Sequence, residues 1–239
     1  KFFGLQVHNN IKQKKEVKIM KKNIIATLLT LTTLLSAAPV FAYPDCTDEN
    51  VMALTELGIL EGDENGNFNP DKNLTRAEFC KMITPLSSRG DYFDELDFTG
   101  DMRPFTDIEN HWAFRYIMLC ESCGLIDGFE DDTFRPDDSL TYAQTIKMCL
   151  SAIGYSGLAE DTGIWYEKWT EMAYQYGLTE TKITNPNEYI DRIDAAQLIY
   201  KTINMPLCKI SGYEQVETEN GPVWGPTFEI MDGKNGEFQ

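Results

Sequence analysis

Few side chains in this sequence could do chemistry at a fixed place, and the best placed are cations at helix starts. Thr75-Arg76-Ala77-Glu78 opens one such helix. The Thr75 hydroxyl can accept from an orphan amide, and Glu78, three residues on, can reach back. Ala77, Phe79, Cys80, Met82 and Ile83 then give the helix a buried stripe, which leaves Arg76 and Lys81 to face outward beside a turn-rich loop. Lys147 and Arg192 recur at related places, after Thr141-Tyr142-Ala143-Gln144 and within Asp191-Arg192-Ile193-Asp194. Arg192 also has a second reading, a surface residue paired with Asp194. The chain holds 21 Lys and Arg against 38 Asp and Glu, a formal charge of −17. Such acidity argues against nucleic-acid binding, which needs basic surface. Any anion site must be local, made by these few cations where helix-start amides and the helix dipole assist.

Other chemistries fit less well. Cys120-x-x-Cys123 suggests a redox or zinc pair, but the internal repeat described next lays Cys120 on Leu54 and Ala173 and Cys123 on Leu57 and Tyr176. Cys80 and Cys149 also align with aliphatic positions, so all four read as small hydrophobes. No second pair stands at zinc spacing. Cys46 and Cys208 fall outside that argument. His111 is the only histidine after residue 42, and at a helix start it reads as structural or capping rather than catalytic. The run from Asp63 to Phe68 looks like half a calcium loop, yet Lys72 falls where the bidentate Glu belongs. No spacing singles out a raised-pKa carboxylic acid beside a nucleophile. The chain is read as non-catalytic, with no metal and no cofactor.

The elements that position the cations repeat. From Gly58 to Thr75 and from Gly124 to Thr141 is 17 residues each, with Phe68 on Phe134, Pro70 on Pro136, Leu74 on Leu140 and Lys81 on Lys147. A looser third copy starts at Gly177, keeps Pro186 and Ile190 in register, and has a loop three residues shorter. In each copy a glycine ends a leading helix, a loop of Gly, Asn, Asp and Pro follows, and a capping residue opens a trailing helix. Leading helices are expected at 49–57, 113–123 and 165–176, and trailing helices at 76–84, 142–153 and 192–203. Such repetition means that each unit buries its apolar face mainly against its siblings.

Phe105-Thr106-Asp107-x-x-x-His111-Trp112-Ala113, an amphipathic helix, Gly-Leu-Ile-x-Gly, an Asp-x-Thr-Phe-x-Pro loop and then Thr-Arg-Ala-Glu together resemble the S-layer homology module. The resemblance covers about Asp45 to Pro206. It implies a mainly α fold of three tandem helix-loop-helix modules in a pseudo-threefold assembly. Grooves between such modules bind the secondary polysaccharide of Gram-positive cell walls, commonly one bearing a pyruvate ketal. The arginine of Thr-Arg-Ala-Glu is implied as the partner of the ketal carboxylate, which a planar guanidinium can grip with two parallel hydrogen bonds. The glycan-binding set carried over is Arg76, Glu78, Lys81, Lys147, Arg192, Trp112 and Trp165. The two tryptophans, each 12 residues before their module's glycine, read first as core and second as groove lining. The second module has Tyr142 in place of the arginine, and the first has Cys46 at the tryptophan's place.

The domain reading follows. Residues 1–19 precede Met20 and read as translated upstream DNA, an expectation that native amino-terminal sequencing tests. Residues 20–42 read as a secretion signal, with Lys21 and Lys22, an apolar core from Ile24 to Leu35 and small residues up to Ala42. Their removal takes away seven bases and one acid, leaving 14 against 37 and a formal charge of −23. The modules are expected at 43–90, 105–157 and 158–206, with an acidic insert at 91–104 and a short irregular or hairpin tail at 207–239. The expected partner is a secondary wall polysaccharide, with S-layer or surface-protein neighbours, no nucleic acid, and no membrane after signal cleavage. The favoured reading is non-covalent anchoring at the cell wall. The alternative is the anchor portion of a surface enzyme or adhesin whose working domain lies beyond residue 239.

Overall fold

Helix capping defines the architecture. In the computed structural model, which describes residues 43–98, 104–159, 163–216 and 222–231, six α-helices precede one β-hairpin. They are α1 (Glu49–Glu56), α2 (Arg76–Ile83), α3 (Phe114–Ser122), α4 (Tyr142–Ala152), α5 (Glu167–Gln175) and α6 (Arg192–Asn204). The leader and secretion signal read over 1–42 lie outside the described residues. At α2 the Thr75 hydroxyl accepts from the Glu78 amide at 3.2 Å, while the Glu78 carboxylate accepts from the Thr75 amide at 3.0 Å. Thr141 and Gln144 repeat this reciprocal cap at α4, and the Asp191 carboxylate accepts from the Asp194 amide at α6. The leading helices α1, α3 and α5 end on Gly58, Gly124 and Gly177, whose φ of 71°, 68° and 79° are left-handed values that suit glycine.

The trailing helices interlock. Leu74 donates its amide to the Ile190 carbonyl at 3.1 Å, Ile190 to Leu140 at 3.0 Å, and Leu140 to Leu74 at 2.8 Å. This closed triangle brings all three capping segments together, with the three aliphatic side chains buried beneath it. Around it, α2 packs on α3, α4 on α5, and α6 back on α1. Each apolar stripe is covered by a neighbouring unit, as the repeat required. One continuous core contains Phe68, Phe79, Phe134 and Tyr155 together with the fully buried Cys80, Cys120 and Cys149. Burial pushes the Cys149 thiol up to about 12, which keeps it neutral. Cys46 and Cys208 are also buried and free.

A carboxylate pins each of the first two loops. Asp45 accepts from the amides of Phe68 and Asn69, and Asp107 accepts from those of Phe134 and Arg135, all at 2.7–2.8 Å. These bonds hold Asn69 and Arg135 in the left-handed region, at φ 58° and 56°. They also correct the placement of Cys46. It follows Asp45 as the buried Ile108 follows Asp107, so it is a core residue in the isoleucine's place. Asp45 lies 13 residues before Gly58 and Asp107 lies 17 before Gly124, so the first lead-in is four residues shorter and has no counterpart of Trp112.

The acidic insert begins as a 3₁₀ turn, Gly90–Glu95, rather than a loose loop. Phe93 stacks on Tyr116 with ring centroids 4.6 Å apart, and its carbonyl accepts from the Arg115 guanidinium at 2.8 Å. The tail is an antiparallel hairpin, β1 (Cys208–Val216) and β2 (Val223–Ile230). Cys208 donates its amide to the Ile153 carbonyl at 2.9 Å, which docks the hairpin at the end of α4. Gly154 makes room for it: a Cβ there would lie 2.3 Å from the Cys208 carbonyl oxygen.

These carboxylates make stability depend on pH. The Asn69 side chain and the Asn67 amide lead the bonds that hold Asp63 at about 2. Desolvation raises Asp45, but the amides of Phe68 and Asn69 outweigh it and leave the group lowered. A carboxylate held low contributes stability that is present above its unfolded value near about 4 and is lost as pH falls through its folded value. Asp191 runs the other way, raised by burial, Asp194 and Asp71, and offsets part of this loss. The melting temperature should therefore fall between pH of about 4 and about 2, and Asp63→Asn should flatten the fall. A profile flat across that window contradicts the account.

Candidate functional site

The two arginines of the helix starts do not sit as the sequence suggests. Arg76 is only 7% exposed. The first two amides of α2, those of Arg76 and Ala77, donate to the carbonyls of Asp138 and Pro136 in the second loop. That contact lays the first turn of α2 on the second loop and carries the guanidinium inward. Its Nε donates to the Phe134 carbonyl at 2.8 Å, its Nη2 donates to the Asp127 carbonyl at 3.1 Å, and it lies 4.3 Å from the Phe134 ring centroid. The outward-facing Arg76 of the sequence reading is thus corrected.

Arg192 repeats the arrangement against the first loop. The amides of Arg192 and Ile193 donate to the carbonyls of Lys72 and Pro70. Its Nη2 reaches the Glu61 carbonyl at 2.6 Å and its guanidinium covers the Phe68 ring at 4.9 Å. Its Nε is buried without a partner. The expected pairing with Asp194 does not form, because Asp194 takes the Tyr142 hydroxyl instead. At the remaining junction the amides of Tyr142 and Ala143 donate to the carbonyls of Glu188 and Pro186. There the guanidinium is missing, and so is the ring, since Thr184 stands where Phe68 and Phe134 stand in the other loops.

A groove of about 230 Å³ opens beside the first loop, lined among others by Glu61, Lys72, Glu78, Lys81, Trp112 and Arg192. Four of the sequence-selected residues meet there: Glu78 and Lys81 on α2, Arg192 on α6, and Trp112 from the lead-in to α3. Lys81 Nζ lies 2.6 Å from a Glu61 oxygen, and Lys72 Nζ lies 2.5 Å from a Glu78 oxygen. Desolvation raises Glu78, but Lys72 and the Thr75 amide outweigh it, so the group is lowered and carries charge. Trp112 is 57% exposed and Trp165 46%, which overturns the core reading of both tryptophans. Arg76 and Lys147 belong to a second junction, where Lys147 pairs with the Asp127 carboxylate while Arg76 holds the Asp127 carbonyl. These two junctions therefore take their arginine from one unit and their lysine from the next. Lys81, Arg192 and the exposed indole of Trp112 can hold an anionic, ring-shaped ligand by charge and by stacking.

Sequence reasoning missed the lysines' partners and the arginines' seats. Both had a signal. An acid stands three residues after each helix-ending glycine (Glu61, Asp127 and Glu180), and Phe68 aligns with Phe134. The dull readings of two other groups fit the geometry. His111 Nδ1 accepts from the Ala113 amide at 3.2 Å and its Nε2 meets Asp137, a structural role in the lead-in to α3. The Asp63 carboxylate is already occupied by the amides of Asn65 and Asn67 and by the Asn69 side chain, which leaves its oxygens little to offer calcium.

The S-layer homology domain matches residues 46–80 and 104–146. Two segments of this chain are S-layer homology sequence. The same regions are shared with larger surface proteins. A surface layer protein of Brevibacillus choshinensis is 27% identical over 214 residues, covering 84% of this chain and 18% of that protein. The middle cell wall protein of Brevibacillus brevis is 25% identical over 210 residues, covering 83% of this chain and 19% of its own. A cellulosome-anchoring protein of Acetivibrio thermocellus is 35% identical over 96 residues, covering 40% of this chain and 21% of its own. The chain thus spans less than a fifth of the length of the two Brevibacillus relatives. The matches indicate a location at the cell wall or S-layer surface and support an anchoring role there.

Arg76 yields a prediction in which stability, not only binding, responds. Arg76→Ala leaves the buried Phe134 carbonyl without this donor and removes the part-buried bond to Asp127, and should cost about 2–3 kcal/mol in denaturant unfolding. Arg76→Lys should recover little, because an ammonium cannot reproduce a planar fork stacked on Phe134. An Arg76→Ala protein as stable as the parent would show that the guanidinium is not a fastener.

Proposed function

We propose that this chain anchors a surface protein non-covalently to the Gram-positive cell wall by binding an anionic secondary polysaccharide, one bearing a pyruvate ketal. Three S-layer homology modules, arranged about a pseudo-threefold axis at Leu74, Leu140 and Ile190, present the grooves. The observation that carries the reading is the groove in which Lys81, Arg192 and Trp112 converge from three different units. Its ligand is a sugar acid: the carboxylate takes Lys81 and the free edge of Arg192, and the ring lies on the indole of Trp112. A groove that sets Lys72, Lys81 and Arg192 against Glu61, Asp63 and Glu78 favours such a ligand only at close range, where the helix start adds its own positive end.

A second reading concerns cargo. The Thermoanaerobacter kivui cell surface protein and an Acetivibrio thermocellus protein named exoglucanase XynX are similar over 79% and 63% of this chain, at 29% and 26% identity. One anchor carried by proteins of such different names is what a transferable attachment unit would produce, with the chain itself non-catalytic.

Purified walls that keep their secondary polymer should retain the chain in a pull-down, and walls stripped of it by mild acid should not. Lys81→Ala and Arg192→Ala should each weaken retention roughly tenfold, the loss of one charge-assisted contact. Equal retention on both kinds of wall would rule out the polysaccharide as the ligand.

A further inference from the structure

The three junctions are alike in backbone and unlike in side chains, and the difference bears on how many ligands the chain can hold. This inference rests on the glycan reading above. At the first junction Arg192, Lys81 with Glu61, and Trp112 surround one opening. The second has Arg76 on the Asp127 carbonyl and Lys147 on the Asp127 carboxylate, and its counterpart of Trp112 by spacing is the exposed Trp165, likewise 12 residues before its module's glycine. The third junction, where the start of α4 meets the loop before α6, has lost its arginine, lysine and tryptophan. Tyr142 replaces the arginine. Gln197, five residues after Arg192 as Lys81 is after Arg76, replaces the lysine. The shortened first lead-in supplies no tryptophan.

Each replacement is bonded to a neighbouring carboxylate. The Tyr142 hydroxyl donates to Asp194, and the Gln197 amide donates to the Asp48 carboxylate at 3.1 Å, tying α6 to the cap of α1. The acid of this junction, Glu180, meets Lys201 at 3.4 Å. Lys201 lies one turn beyond the place of Lys81, about 5.4 Å along the helix.

We propose that the chain carries two anion-binding grooves, centred on Lys81 and Lys147, and that its third junction, without their arginine, lysine and indole, binds no anion and only holds the ring together, although a cavity of about 430 Å³ lined by Tyr166, Thr184 and Pro186 opens on its loop. In each groove the ligand carboxylate displaces the resident acid, Glu61 or Asp127, from its lysine. Two such grooves on one rigid body would bind a repeating polymer far more tightly than its single sugar, by on the order of 100-fold or more.

Isothermal titration with a methyl hexopyranoside carrying a 4,6-O-pyruvate ketal reads the count directly, with wall retention measured on the same proteins. Saturation should come at about two ligands per chain, falling to about one in Lys81→Ala and in Lys147→Ala, and to none in the double variant. Gln197→Ala and Lys201→Ala should leave the count at two, while Gln197→Ala alone lowers the melting temperature. A count of three, a site lost in Lys201→Ala, or no uptake of the ketal by a chain that still holds walls would overturn the two-groove assignment and leave anchoring intact. Failure to hold walls at all would sink the anchoring reading itself.

Discussion

Six backbone hydrogen bonds between helix starts and neighbouring loops hold the rest of this structure in place. The first amides of an α-helix have no partner within it. Here those of Arg76 and Ala77, Tyr142 and Ala143, and Arg192 and Ile193 are each donated in pairs to the next loop of the ring. The helices give up nothing to make these joints, since the amides were orphans already. The joints fix which loop each helix start faces, and therefore what lies beside every side chain in the first turn. The triangle of Leu74, Leu140 and Ile190 closes the same arrangement at its centre.

The arginines show how one side chain serves both packing and recognition. A guanidinium has five donors, and the two loop carbonyls it serves take only some of them. Arg76 uses Nε and Nη2 on the second loop, and Arg192 uses Nη2 on the first. The stacked phenylalanine shields one face, and burial lowers both arginines below their usual range. The remaining donors lie next to a lysine that belongs to another unit. A site built this way exists only when neighbouring units are assembled, so the ring is a condition of the groove and not merely its support.

The acids answer how so negative a chain keeps a cationic groove. Lys81 and Lys147 are each held by a carboxylate of their own loop, Glu61 or Asp127, Lys72 is held by Glu78, and other acids nearby fasten the loops through backbone amides. Asp45 and Asp107 each accept two amides, and Asp63 accepts from three donors. The negative charge near the grooves is thus mostly committed to hydrogen bonds.

Much of the architecture was legible because its causes are local. Thr75 with Glu78, Thr141 with Gln144 and the three left-handed glycines act within one turn of chain, so the helix bounds read from the sequence lie within two residues of those observed. The buried Cys80, Cys120 and Cys149 followed from their alignment with aliphatic neighbours. Exposure at the edge of a helix did not follow. Arg76 was read as outward and Trp112 as core, and each proved the reverse. Periodicity tells which residues leave a helix's own buried stripe, but it cannot tell whether another unit covers them. Cys46 was misplaced for a related reason: counting from the glycine could not reveal that the first lead-in is four residues short, which the paired bonds of Asp45 and Asp107 make plain. The sequence alone determined the elements and their caps, since these depend on neighbours along the chain. Only the tertiary structure decided which unit lends its arginine, lysine and tryptophan to each groove, because that depends on loops more than fifty residues away.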